Sequence, residues 1–80
     1  MSEIILKHPF TASGKTLAKL ELRRPTVKDL RTMNRFGDDE EAKEIGLIAS
    51  LCNLVPEDLD TMDLADYKAL QDSFRGMLSE

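Results

Sequence analysis

Pro25 divides this chain into two kinds of pattern. Upstream, apolar and polar residues alternate. In "EIILKHPF", Ile4 and Leu6 fall on one face, with Glu3, Ile5 and Lys7 on the other. In "TLAKLELRR", Ala18, Leu20 and Leu22 oppose Lys19, Glu21 and Arg23. Period two marks strands with one covered face, and downstream the apolar spacing changes to three and four, which marks helices. Pro25 lacks the N–H that a central ladder needs, so no such strand runs through it. These patterns predict an α+β fold: an N-terminal β-hairpin over about residues 3–23, followed by three α-helices over about 26–36, 38–54 and 63–79. A hairpin alone is marginally stable in water, so the helices are expected to cover its apolar face.

The link between the strands contains Ser13-Gly14-Lys15-Thr16, which matches the end of a phosphate-binding P-loop. Two features argue against that use. Pro9 stands at the motif's first glycine and has no N–H to offer. The residues after Thr16 read as strand, whereas a P-loop opens a helix. The stretch is better read as a hairpin turn over Ala12–Lys15. Gly14 would supply the positive φ of a three- to five-residue loop.

Each helix carries boundary signals. Thr26-Val27-Lys28-Asp29 has capping-box form, and Val27, Leu30 and Met33 share one face before a stop near Phe36-Gly37. Asp38 is the expected N-cap of the second helix, with Glu41 three residues on. That helix is apolar on most sides from Ile45 to Val55, which predicts burial or pairing. Gly46 within it is expected to allow a close helix crossing. In "VPEDLDTMD", Pro56 suits the start of a short helical turn, with Leu59 and Met62 pinning it to the core. Asp63 caps the third helix, and Asp66 stands in its first turn. The third helix's stripe is Leu64, Tyr67, Leu70, Phe74, Met77 and Leu78.

Eighty residues predict one domain, 1–80, with a small core and little room for an enclosed cleft. No run of 18 apolar residues occurs, so no membrane span is expected. The N-terminus lacks a signal-peptide pattern. Cys52 is the single cysteine, which excludes an internal disulfide and a multi-cysteine zinc site, and a cytosolic setting is expected. His8 is the single histidine, and no acid–base or nucleophilic set assembles around it. Asp58, Asp60 and Asp63 lack the spacing and glycine of a calcium loop and read as helix caps. No enzyme activity, metal or cofactor is expected.

Charge is uneven. Residues 1–36 carry a net +5 and residues 37–80 a net −9. The basic front and acidic back are either two recognition surfaces or halves that attract each other within the fold, and the second is expected. Arg23, Arg24, Lys28, Arg31 and Arg35 form the basic cluster. It supports an alternative reading as a small nucleic-acid-binding regulator. A sequence pI near 4.9 and the lack of interleaved aromatic residues argue against that reading, and the cluster is expected to be a solvated face or a dock for the acidic second helix.

The apolar residues say more. Met33, Phe36, Leu47, Leu51, Leu54, Met62, Phe74, Met77 and Leu78 exceed a minimal core. Core and binding stripes share one helical spacing, so two readings stand open. In one, all of these residues fill the core. In the other, some form a groove or dimer face for an amphipathic helix. The candidate contacts for the second are Met33, Phe36, Leu47, Leu51, Leu54, Phe74, Met77 and Leu78.

Several stretches carry a resemblance: "IILKHPF", "SGKTL", "LELRRPTVKDLRTM" and "LVPEDLDTMDLADYKALQDSF". The most telling are "LRRPTVKDL" and "MDLADYKAL", Met62 to Leu70. Together they resemble the small tail assembly chaperones of Mu-like contractile-tailed phages, over nearly the whole chain. The resemblance implies a non-enzymatic phage or prophage protein in the cytoplasm of the bacterial host. Its implied partner is the tape measure protein, a long helical chain kept soluble until the tail tube forms around it. Neither a membrane nor nucleic acid is an expected partner, and the protein is not expected in the mature virion. Some family members also have a longer frameshifted form. Homo-oligomers, including a dimer through the second or third helix, are an expectation from excess apolar surface.

Overall fold

Ser13 and Gly14 both adopt positive φ, 52° and 79°. That pair closes a two-residue turn of the type that matches strand twist, shorter than the loop expected from sequence. It joins strand β1, Ser2–Ala12, to antiparallel strand β2, Lys15–Leu22. Lys15 and Thr16 therefore enter a strand, and the P-loop geometry is absent. The computed structural model describes residues 2–79. Met1 and Glu80, the ends of the expected 1–80 domain, lie outside the described residues.

The hairpin register slips in the middle. Ile5 pairs with Lys19, but the next pair is Phe10 with Leu17. Residues 6–9 of β1 thus face only Ala18 across the ladder. Bulges of this kind free backbone groups from pairing, and Pro9 has no N–H to lose. The slip also shifts the inward face of β2. Leu20 and Leu22 are buried and Leu17 is half-buried, while Ala18, expected inward, is exposed.

The helical half follows the order α1 Val27–Thr32, a 3₁₀ turn Met33–Phe36, α2 Glu40–Leu51, a 3₁₀ turn Pro56–Leu59, and α3 Leu64–Leu78. The expected α+β hairpin with three helices is present, with shifted boundaries. The first helix gives way to 3₁₀ geometry after Thr32. Asp39, not Asp38, caps α2, accepting from the Glu41 N–H at 3.3 Å. The second helix stops at Leu51 because Asn53 takes φ 63°. The Leu54 N–H then donates to the Ala49 carbonyl at 2.8 Å, and the Asn53 N–H to Ser50 at 3.0 Å. These bonds complete a Schellman end.

The core lies where the hairpin's inner face meets α2 and α3. Leu6, Phe10, Leu20 and Leu22 meet Leu47, Ile48, Leu51, Leu70, Phe74 and Met77 there. Leu59 and Met62 pin the connector to this core, as expected. Gly46 serves a different neighbour from the expected helix crossing. The Phe36 ring lies against it, and a Cβ at position 46 would overlap that ring.

A candidate apolar groove

Asp29 sets the geometry of α1. Its Oδ1 and Oδ2 accept from the two terminal nitrogens of Arg23, each at 2.8 Å. Its Oδ2 also accepts from the Thr26 N–H at 2.8 Å, which secures the helix start. Asp29 is buried, and the Arg23 guanidinium, first among several donors, holds its carboxyl well below the usual range. This anchor turns Asp29 inward. At about 100° per residue, Leu30 and Val27 then point away from the core. They are 63% and 74% exposed. The sequence pattern places them with Met33 on an apolar face; Val27 and Leu30 open outward, while Met33 is half-buried against the core.

The exposed face of α1 forms one wall of an open groove of about 830 Å³. Pro25, Val27, Leu30 and Met33 line this wall. Glu40, Glu41, Glu44 and Leu47 come from α2, and Gln71, Phe74, Arg75 and Leu78 from α3. Leu47 and Phe74 are buried at the base, whereas Leu78 at the far end is 61% exposed. Glu44 ties α2 to α3, meeting Gln71 Nε2 and, at 3.4 Å, the Arg75 guanidinium. The groove therefore presents apolar area beside a carboxylate rim. Its chemistry suits adhesion of an apolar segment.

The candidate contacts distribute across three settings. Met33, Leu47, Phe74 and Leu78 line the groove. Leu51 and Met77 are buried core residues, and Phe36 is half-buried against Gly46. Leu54 lines a separate shallow hollow with Leu17 and Val55, beside the hairpin turn. Val27 and Leu30, legible in sequence as part of a helix face, are additions to the candidate contacts. The signal for them was Asp29 itself: an acid two and one positions away, paired to an Arg before the proline.

The basic cluster is partly committed to structure. Arg23 is held by Asp29, and its Nη1 also reaches the Arg24 carbonyl at 3.4 Å. Lys28, Arg31 and Arg35 are exposed. Ion pairs such as Lys19–Glu3, Arg23–Asp29 and Arg75–Glu44 each join residues of one half of the chain. Among the expected caps, Asp58 accepts from the Val55 N–H at 3.1 Å and Asp63 from the Ala65 N–H at 3.0 Å. Asp66 has a role that its position in the first turn did not suggest. It accepts from the Lys7 and His8 N–H groups at 3.0 and 2.8 Å, satisfying two donors of the β1 bulge. Cys52 is half-buried, and burial pushes its thiol up to about 11.

Among the described residues, no helix is long and apolar enough to cross a membrane. Comparison with curated proteins and with solved structures returns no match. A family model described as phage tail assembly chaperone proteins, E, or 41 or 14, matches residues 3–79. That span runs from the first strand through the last helix, so the chain belongs to this family of phage tail assembly chaperones.

Proposed function

We propose that this protein binds the phage tape measure protein and keeps it soluble in the host cytoplasm during tail assembly. One observation carries the reading: Val27, Leu30 and Leu78 stand exposed around an open apolar groove. A long helical partner exposes apolar stripes before assembly, and such patches aggregate unless covered. A groove with an apolar base and raised apolar edges suits the face of an amphipathic helix. Met33 adds an adaptable side chain, which favours accepting several related segments. The contact set we propose is Val27, Leu30, Met33, Leu47, Phe74 and Leu78. Such binding requires no catalytic step. Association of several copies along one long partner would add avidity without new contacts.

The test is co-expression with the tape measure protein encoded by the same phage. The reading predicts that the partner becomes soluble and co-purifies with the wild-type chain. Leu30→Asp is expected to abolish co-purification while leaving the circular dichroism spectrum unchanged. A partner that remains insoluble beside abundant folded wild-type protein contradicts the reading.

A further inference from the structure

The walls of the groove differ in charge. Glu40, Glu41 and Glu44 stand along the α2 side. Among the described residues that line the groove, Arg75 is the one cation, and it is already paired with Glu44. Asp29 is neutralised by Arg23. Glu40 meets Lys43 only at 3.8 Å, and its side chain is 89% exposed. Glu41 is exposed as well, and its carboxylate makes no hydrogen bond or ion pair among the described residues. Two carboxylates with spare capacity thus border the apolar base on one side.

From this we infer that the groove selects amphipathic helices whose apolar stripe is flanked by Lys or Arg. The inference rests on the groove being the partner site and specifies the chemistry of the segment it takes. A basic flank would lie against Glu40 and Glu41, where opposite charges attract and acidic flanks are repelled. Exposed pairs of this kind act more on partner choice and encounter rate than on total affinity. The apolar stripe therefore supplies adhesion, and the carboxylates discriminate between segments. Full-length tape measure protein would then be held at its basic amphipathic stretches.

The probes are three designed helical peptides of one length and one Leu stripe, flanked by Lys, Gln or Glu. Binding to the full chain is read by fluorescence anisotropy. The Lys-flanked peptide is expected to bind roughly 10-fold more tightly than the Glu-flanked one at low salt, with the gap narrowing at high salt. In a Glu40→Gln, Glu41→Gln double variant the preference should shrink to about 2-fold or less, since each exposed pair is weak. Both positions are exposed, so the fold should persist, and circular dichroism checks that. Equal binding of all three peptides, each weakened by Leu30→Asp, overturns the charge selection and leaves the groove reading intact. Loss of binding by none of the peptides on Leu30→Asp removes the groove as the site, and this inference falls with it.

Discussion

Asp29 and Asp66 are the two buried carboxylates of the described residues, and each carries a structural junction. Asp29 joins the end of β2 to α1 through Arg23 and Thr26. Asp66 joins α3 to the β1 bulge through the Lys7 and His8 amides. Both carboxyls are held below the usual range, Asp29 chiefly by the Arg23 guanidinium and Asp66 chiefly by the Lys7 amide. A carboxylate whose folded pKa is depressed contributes stability above its unfolded value and loses it as pH falls through the folded one. The urea midpoint should therefore hold from pH 7 to about 5 and fall progressively below that, as carboxylates of the unfolded chain, with pKa values of about 4, take up protons. A midpoint that rises on acidification contradicts this. Asp29→Asn should cost about 2 kcal/mol, since it weakens two charged hydrogen bonds and a cap, with the exposed side of Arg23 limiting the loss. Urea denaturation at pH 7 measures it. Cys52 offers a separate check. With its thiol pushed up to about 11, little thiolate exists near neutral pH. Disulfide reagents at pH 8 should label native Cys52 much more slowly than the urea-unfolded chain, and equal rates contradict its burial.

At the scale of elements, α2 accounts for its own composition. Its apolar sides face the hairpin and core, while Gly46 lies beneath the Phe36 ring. Gly46→Ala gains about 1 kcal/mol of helix propensity, yet the new methyl must displace an aromatic ring. Overpacking of this kind costs about 1–3 kcal/mol, so a net loss of stability is expected. In a Phe36→Ala background the same change should be neutral or stabilising, and a double-mutant cycle in urea reads the difference. Much of this architecture was legible from period and punctuation. Alternation gave the strands, Pro25 the boundary, Pro56 the short turn, and Asp63 the start of α3. The misses have physical causes. Asp38 and Asp39 are equal N-cap candidates by type, and only the backbone path decides between them. The apolar run continues through Leu54, which hid the left-handed Asn53 that ends α2. His8-Pro9 inside a strand pattern was a signal for the bulge, because proline in strands concentrates at bulges and edges. Its partner, Asp66, lies far away in sequence and only the fold brings it near. The groove was half legible. Met33, Leu47, Phe74 and Leu78 stood among the candidates, but Leu51 and Met77 share their spacing and fill the core.

For the whole molecule, the hairpin and helices close one core and leave the α1 face uncovered. A chain of this size has little core to spare, and Val27, Leu30 and Leu78 are three of the six large apolar side chains that stand exposed among the described residues, with Ile5, Val55 and Leu64 elsewhere. A substitution at such a surface position, Leu30→Asp, should change stability by about 0.5 kcal/mol or less. Leu51→Asp, placing a charge in the core, should unfold the protein instead. Partner binding lost in the first variant with its fold intact separates the groove from the core. The most direct measurement is amide hydrogen exchange on the chain alone and on the chain co-purified with the tape measure protein. The account predicts added protection in α1, the first half of α2 and the last half of α3, with β1 and β2 unchanged. Protection confined to the hairpin, or none anywhere in a stable complex, would contradict the groove as the chaperone's binding site.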